Sequence, residues 1–88
     1  MWTVYIIQCP DKSLYTGITL DVAERLKEHV SGKGSRYLRG KSPLFVVYKE
    51  NQPDRSSALR REAQIKRWPH KKKRALVFND AHTKEIFI

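Results

Sequence analysis

Two tyrosines, Tyr5 and Tyr15, an arginine and a histidine four residues apart, Arg25 and His29, and a distant glutamate, Glu62, are the side chains here with the types to act on a phosphate ester. Phosphodiester hydrolysis needs a cation over the developing charge, a divalent ion to polarise the phosphate and help the leaving oxygen, and a base for water. Glu62 can hold the ion and Arg25 the phosphate, while a tyrosine or His29 deprotonates or orients the water. Tyrosine, with a reference pKa near ~10, is a poor base unless positive charge lowers it, which Arg25 and a metal both do. Each residue also has a plainer reading. The tyrosines can be a packed cross-strand pair, Arg25 and His29 ordinary surface positions, and Glu62 an edge carboxylate reaching water. The chain has no paired carboxylates for a two-metal clamp, no serine in a strained elbow and no Walker loop.

The elements that must position these residues are readable. Residues 2 to 8 are β-branched and aromatic, and Pro10 to Ser13 reads as a turn, so Leu14 to Thr16 returns as the second strand of a hairpin. The run Val4, Tyr5, Ile6, Ile7 implies a strand covered on both faces. Asp21 caps a helix starting at about Val22, with Glu24 three residues on to answer the cap's own N–H. Val22, Leu26 and Val30 form its apolar row, beside Arg25 and His29. Gly32 and Gly34 break the chain, and Leu44 to Tyr48 is the clearest strand. Asp54 or Ser56 caps a second helix running to Trp68, with Ala58, Leu59, Ala63 and Ile65 inward and Glu62 among them. Pro69 stops that helix and suits the first turn of a third, reaching Asn79 with a cationic opening and an apolar second half. Residues 83–88 read as a short final strand or an apolar strap. The fold class is therefore α+β, a small three-stranded antiparallel sheet flanked by helices in the order β-β-α-β-α-α, and the expected organisation is one domain over 1–88.

Composition narrows the partners. The net charge of +9, from 18 Lys+Arg against 9 Asp+Glu, attracts a polyanion, most commonly nucleic acid. Lys33, Arg36, Tyr37, Arg39 and Lys41 form a basic, glycine-punctuated segment that can follow a phosphate backbone around one stacking ring. Arg60, Lys66, Arg67, Lys71, Lys72, Lys73 and Arg74 make a second basic group, concentrated into a patch if the two helices pack as a pair. A lone cysteine, Cys9, fits a reducing compartment and argues against a disulfide-stapled module. With no secretory leader and no apolar run of ~20 residues, the expected location is cytoplasmic, without a membrane partner.

Thr3-Val4-Tyr5, then Tyr15-Thr16-Gly17, Arg25, His29 and Glu62 in a distal helix form an ordered set, with ten residues from Tyr5 to Tyr15 and eight from Gly17 to Arg25. Over about residues 2 to 80 this resembles the GIY-YIG nuclease superfamily, and within it the small stand-alone bacterial YhbQ-like branch. The resemblance implies hydrolysis of DNA phosphodiesters with one Mg²⁺ or Mn²⁺, leaving 5'-phosphate and 3'-hydroxyl ends. It places Tyr5, Tyr15, Gly17, Arg25 and His29 in the catalytic set and makes Glu62 the metal ligand; either tyrosine can receive the proton, and the reading taken here is Tyr5 as base with Tyr15 orienting water or phosphate. Gly17 has a physical reason as well, since a Cβ there can obstruct the approach of phosphate or of the helix. The departures are Thr3-Val4 for Gly-Ile in the first motif half, Thr16 for isoleucine in the second, and Ile18 where many members carry lysine. An asparagine follows the metal glutamate in some members, and Asn79 stands seventeen residues beyond Glu62. Relatives that read specific DNA generally carry a recognition domain, and none is expected here. The expected selectivity is therefore for DNA shape, in structured or damaged DNA, or comes from a protein partner. The alternative is a basic DNA- or RNA-binding protein on the same fold with little or no hydrolysis.

Overall fold

The computed structural model describes residues 1–33 and 36–78, and the backbone of 85–87. Its elements are β1 (Trp2–Gln8), β2 (Leu14–Thr19), α1 (Val22–Val30), β3 (Leu44–Gln52), α2 (Arg55–Lys66), α3 (His70–Phe78) and β4 (Glu85–Phe87). The α+β order β-β-α-β-α-α is the one expected. The three-stranded antiparallel unit is β2-β1-β3, and β4 joins the far side of β3 as a short antiparallel fourth strand. Within the final segment, Glu85–Phe87 takes the strand form of the two that the sequence allows. Asn79, at the expected end of the third helix, lies outside the described residues, as do Gly34 and residues 80–84 and 88.

The hairpin is fixed by its turn. Cys9 and Ser13 close it through a 3.0 Å backbone hydrogen bond, and the Asp11 carboxylate accepts from the Ser13 N–H at 3.0 Å and from its hydroxyl at 2.6 Å. β1 is central, and Val4, Tyr5, Ile6 and Ile7 are all buried, as a strand covered on both faces requires. Tyr5, Ile7, Leu44 and Val46 pack with Leu26 of α1 and with Leu38 of the following loop. On the other face Val4, Ile6, Val47 and Tyr48 meet Ala58 and Ile65 of α2, with Trp68 and with Leu76 and Val77 of α3 against them. The register slips between Ile6 and Ile7, where Ile6 opposes Tyr48 and Ile7 opposes Val46, so Val47 is an inserted residue. That bulge turns both Val47 and Tyr48 toward α2 and α3.

Helix caps and phases agree with the sequence reading in part. The Asp21 side chain accepts from the Glu24 N–H at 3.1 Å, but its own N–H bonds to the Thr19 hydroxyl at 3.1 Å, and Glu24 turns to Lys27 instead. The inward row of α1 is Val22, Leu26 and His29, whereas Val30 is 41% exposed. At 3.6 residues per turn, seven positions return to within about 20° of Val22 and eight overshoot by about 80°. A similar drift leaves Ala63 of α2 exposed, and Leu59 stands about 100° round from Ala58, while Ala58 and Ile65 stay inward. Asp54, not Ser56, caps α2, accepting from the Ser57 N–H at 2.7 Å. The helix stops at Lys66, two residues before Trp68, with Arg67 as its C-cap. Pro69 opens α3, its carbonyl accepting from Lys72 and Lys73.

Two cations are placed by packing. Arg61 reaches across to β3 and holds both oxygens of Glu50 at 3.0 and 3.1 Å, while Tyr48 and Gln52 donate to the same carboxylate at 2.6 and 2.7 Å. Arg61 and Lys72 also lie 5.2 and 4.3 Å from the Trp68 ring centre, which gives the cationic opening of α3 an aromatic partner. No helix among the described residues is long and apolar enough to cross a membrane. Arg61→Ala leaves the largely buried Glu50 carboxylate without its cation, so it is expected to cost about 2 kcal/mol in urea unfolding. Adding Glu50→Gln should recover part of that loss, because the acceptor for Tyr48 survives without a charge.

Candidate active site

Strand pairing builds the centre of the site. Tyr5 lies directly opposite Gly17, and Ile7 opposite Tyr15, so alternation sends Tyr5 and Tyr15 to the α1 face. The Tyr5 ring lies over Gly17. A Cβ on that glycine would stand 2.5 Å from the Tyr5 hydroxyl oxygen and 2.7 Å from Cζ. The glycine therefore makes room for the tyrosine ring, which corrects the reading that it makes room for phosphate or for the helix. From α1, whose phase brings His29 inward, Nε2 meets the Tyr5 hydroxyl at 3.0 Å. Both side chains are only 1% exposed. Tyr15 stands edge-on to the His29 ring at 5.5 Å between centres and 6.5 Å from the Tyr5 ring.

The electrostatics keep this pair neutral. Burial, and next the neighbouring Tyr15, push the Tyr5 hydroxyl up to about 12, with Arg25 pulling the other way by hydrogen bonding and charge and Glu62 adding to the rise. Burial first and the Arg25 charge second hold His29 below the ordinary imidazole range. Arg25 and Glu62 are thus both within electrostatic reach of Tyr5. The Arg25 guanidinium also meets Glu28 at 3.3 Å. Its Nε, like Nδ1 of His29, is buried without a hydrogen-bond partner, so the Arg25–Tyr5 interaction is not a well-formed bond through Nε. Buried polar atoms left over in this way are uncommon in native folds and mark a place where a ligand or water can be received.

Glu62 lies at the flank of the inward side of α2, one turn after Ala58 and about 40° from it in the helical phase. Its side chain is 18% exposed and pairs with Lys66 at 3.3 Å. No group of three or more His, Cys, Asp or Glu stands together among the described residues, so they offer no cage made of protein ligands alone. A single reachable carboxylate does fit an ion of the Mg²⁺ type, which keeps several of its waters and takes one or two carboxylates. Lys66, on the exposed end of that pair, is free to swing away.

The residues expected to contact nucleic acid divide into two groups on opposite faces of the sheet, not one continuous patch. Lys33, Arg36, Tyr37, Arg39 and Lys41 surround Leu38 on the α1 face. Arg39 is partly occupied by a 3.2 Å bond to the Gly32 carbonyl. Arg60, Lys66, Arg67, Lys71, Lys72, Lys73 and Arg74 lie along α2 and α3, where Lys73 is half-buried and Arg60 is bonded to Ser56. Tyr37 is closer to the centre than the sequence suggests. Its ring stacks on Tyr15 at 6.1 Å and 17°, a loop-to-hairpin contact that no local spacing announces. Asp11 carries no signal in the sequence either, and it reaches Lys41 at 3.6 Å.

Residues 1–75 match the family described as the GIY-YIG catalytic domain. The chain belongs to the GIY-YIG family. It is 51% identical over 77 residues to UPF0213 protein DP2720 of Desulfotalea psychrophila, covering 86% of this chain and 70% of that protein. It is 44% identical over 85 residues to UPF0213 protein YhbQ of Escherichia coli, covering 97% of this chain and 85% of the relative. The solution NMR structure of UPF0213 protein BH0048 from Bacillus halodurans superposes with a TM-score of 0.60 at 41% identity, over 92% of this chain and 87% of that one. This GIY-YIG chain thus has relatives of similar size and fold among bacterial UPF0213 proteins.

Two outcomes follow for the GIY-YIG centre. Gly17→Ala should cost about 1–3 kcal/mol in urea unfolding, as overpacking does, because the Tyr5 ring is enclosed and has nowhere to move. A matching change at the exposed loop residue Gly40, where an added Cβ meets nothing within 4 Å but φ is 74°, would show only the backbone cost. The second outcome concerns pH. Folding keeps His29 neutral while the unfolded chain binds a proton below its ordinary value of about 6.5, so this contribution is complete above that value and is lost as pH falls toward the depressed folded value. Thermal midpoints between about pH 7.5 and 5.5 should fall more steeply for the native chain than for His29→Gln. Equal slopes would refute the assignment of a neutral buried imidazole.

Proposed function

We propose that this chain is a nucleic-acid-binding GIY-YIG protein whose Tyr5–His29–Arg25–Glu62 centre gives weak, metal-dependent hydrolysis of DNA phosphodiesters, guided by DNA shape. The observation that carries the reading is the Tyr5 hydroxyl, bonded to a buried His29 and within reach of both Arg25 and Glu62, yet pushed up to about 12. At neutral pH a hydroxyl so placed stays protonated, so the resting centre is a poor base. Binding does not depend on that ionisation. It draws on the net charge of +9 and the two basic faces.

On this reading Arg25 receives the phosphate, its Nε being buried and without a partner. Tyr5 takes or orients the proton of the attacking water, and neutral His29 either accepts the Tyr5 hydrogen at Nε2 or donates to its oxygen, according to tautomer. Tyr15 packs against His29 and holds that ring in place. Glu62 would hold one Mg²⁺ or Mn²⁺, which when bound supplies charge neutralisation and polarisation of the phosphate. A second reading, an efficient endonuclease, is supported by the Tyr5–His29 bond together with the charge of Arg25, which opposes the rise at Tyr5.

The test uses labelled single-stranded, duplex, nicked, flapped and branched DNAs with Mg²⁺, Mn²⁺ or EDTA, with native protein beside Glu62→Ala. Salt-sensitive binding in EDTA is expected of both proteins. Slow ion-dependent cutting is expected of the native protein alone, with a loss of about 100-fold or more in the variant. Cutting equal in both proteins would refute the role of Glu62, and binding without cutting would leave a non-catalytic binding protein. Failure to bind any of the DNAs at low salt would sink both readings.

A further inference from the structure

We propose that Tyr37 is a stacking site for an unpaired nucleobase, covered in the free chain by Lys41, which moves to the adjoining phosphate when a base arrives. This deepens the nucleic-acid reading and rests on it.

Tyr37 is 48% exposed, an unusual degree for an aromatic ring whose other contacts are ordered. It is not a loose surface residue. The ring is held nearly parallel to Tyr15, and Tyr15 is in turn held edge-on to His29, so three rings lead from the surface loop to the buried Tyr5–His29 pair. The ammonium of Lys41 sits 3.8 Å from the Tyr37 ring centre, and Asp11 draws the same ammonium from the hairpin turn at 3.6 Å. Lys41 is thus lightly held over the ring by two weak partners, an exposed cation–π contact and a half-exposed ion pair. Both are easily exchanged. A phosphate competes directly for the ammonium, and a base competes for the ring.

The occupant is identified by its chemistry. Arg36, Arg39 and Lys33 on the same stretch are exposed and supply positive charge on either side of Tyr37, which suits a flat ring linked to phosphates. Within a duplex, base faces are already stacked on their neighbours, so an aromatic side chain can engage them only at ends, flaps, bulges or single strands. Cations along a backbone contribute the same whether or not the bases are paired. Tyr37 therefore discriminates by strand state where the surrounding lysines and arginines do not.

The experiment measures anisotropy of a labelled thymidine 12-mer and of a blunt 12-pair duplex in EDTA at one fixed salt, with native protein, Tyr37→Ala and Tyr37→Phe. Tyr37→Ala should weaken the single strand about tenfold and the duplex by less than about twofold, and Tyr37→Phe should restore the single strand. Native binding to both DNAs with an equal loss on both in Tyr37→Ala overturns this inference alone. Loss in Tyr37→Phe equal to that in Tyr37→Ala also overturns it, since the hydroxyl and not the ring face would then be responsible. No native binding to either DNA overturns the nucleic-acid reading and this inference with it. Because Tyr37 is at the surface, matching far-UV spectra and thermal midpoints separate these outcomes from misfolding.

Discussion

The Tyr5 ring lies over a glycine on one strand and its hydroxyl meets a histidine from the first helix, and most of the α1 face is arranged around that contact. Gly17 permits it, since any larger residue would collide with the ring. The hairpin register sets it, because a shift of one residue would send Tyr5 to the α2 face and break its pairing with His29. The phase of α1, with Val22, Leu26 and His29 inward, completes it. A buried polar atom without a partner is expensive, so the Tyr5–His29 bond also ties the helix to the sheet at a fixed rotation.

Charge is distributed on a different plan. Arg61 looks, in the sequence, like one more member of a basic run, yet it is spent on Glu50 and on the Trp68 ring, within a network that also includes Tyr48 and Gln52. Most of the exposed cations among the described residues lie either in the α1-side loop or along α2 and α3, with the sheet between them. One duplex arm following a single line of phosphates cannot pass over both faces of a sheet. A nucleic acid engaging both groups has to bend or branch, or wrap around the β2 edge, which is consistent with selection by shape and not by base sequence.

What the sequence made legible follows from how local the signals are. The hairpin, the Asp21 and Asp54 caps and the β-β-α-β-α-α order all rest on residues within a few positions of one another. Tyr5, Tyr15, Gly17, Arg25, His29 and Glu62 could be nominated because ordered motif spacing carries across elements. Where reading failed, the deciding contact was nonlocal or a matter of helical phase. Val30 and Ala63 turned outward because eight- and five-residue steps drift off an apolar row, Leu59 because it stands about 100° round from Ala58, and the Asp21 N–H found Thr19 on the preceding strand in place of Glu24. Neither the Val47 bulge nor the Tyr37–Tyr15 stack has a local signature, since each is set by a partner more than twenty residues away or on another strand.

A buried tyrosine serves packing best when neutral and serves catalysis best when ionisable, and these demands oppose each other at Tyr5. Burial and Tyr15 favour the neutral form, and Arg25 is the cation that opposes them. On the proposed reading a phosphodiester arriving at Arg25 brings its own negative charge and cancels much of that opposition. Ionisation of Tyr5 then becomes harder at the moment it is needed, unless positive charge is added on another side. Among the neighbours that act on Tyr5, Glu62 is the anionic one able to attract a cation, and it stands at the more exposed side of the centre, paired in the free chain with a lysine that can leave. On the proposed reading, a need for a divalent ion would come from the charge balance around one hydroxyl, even though a single carboxylate makes a weak site by itself.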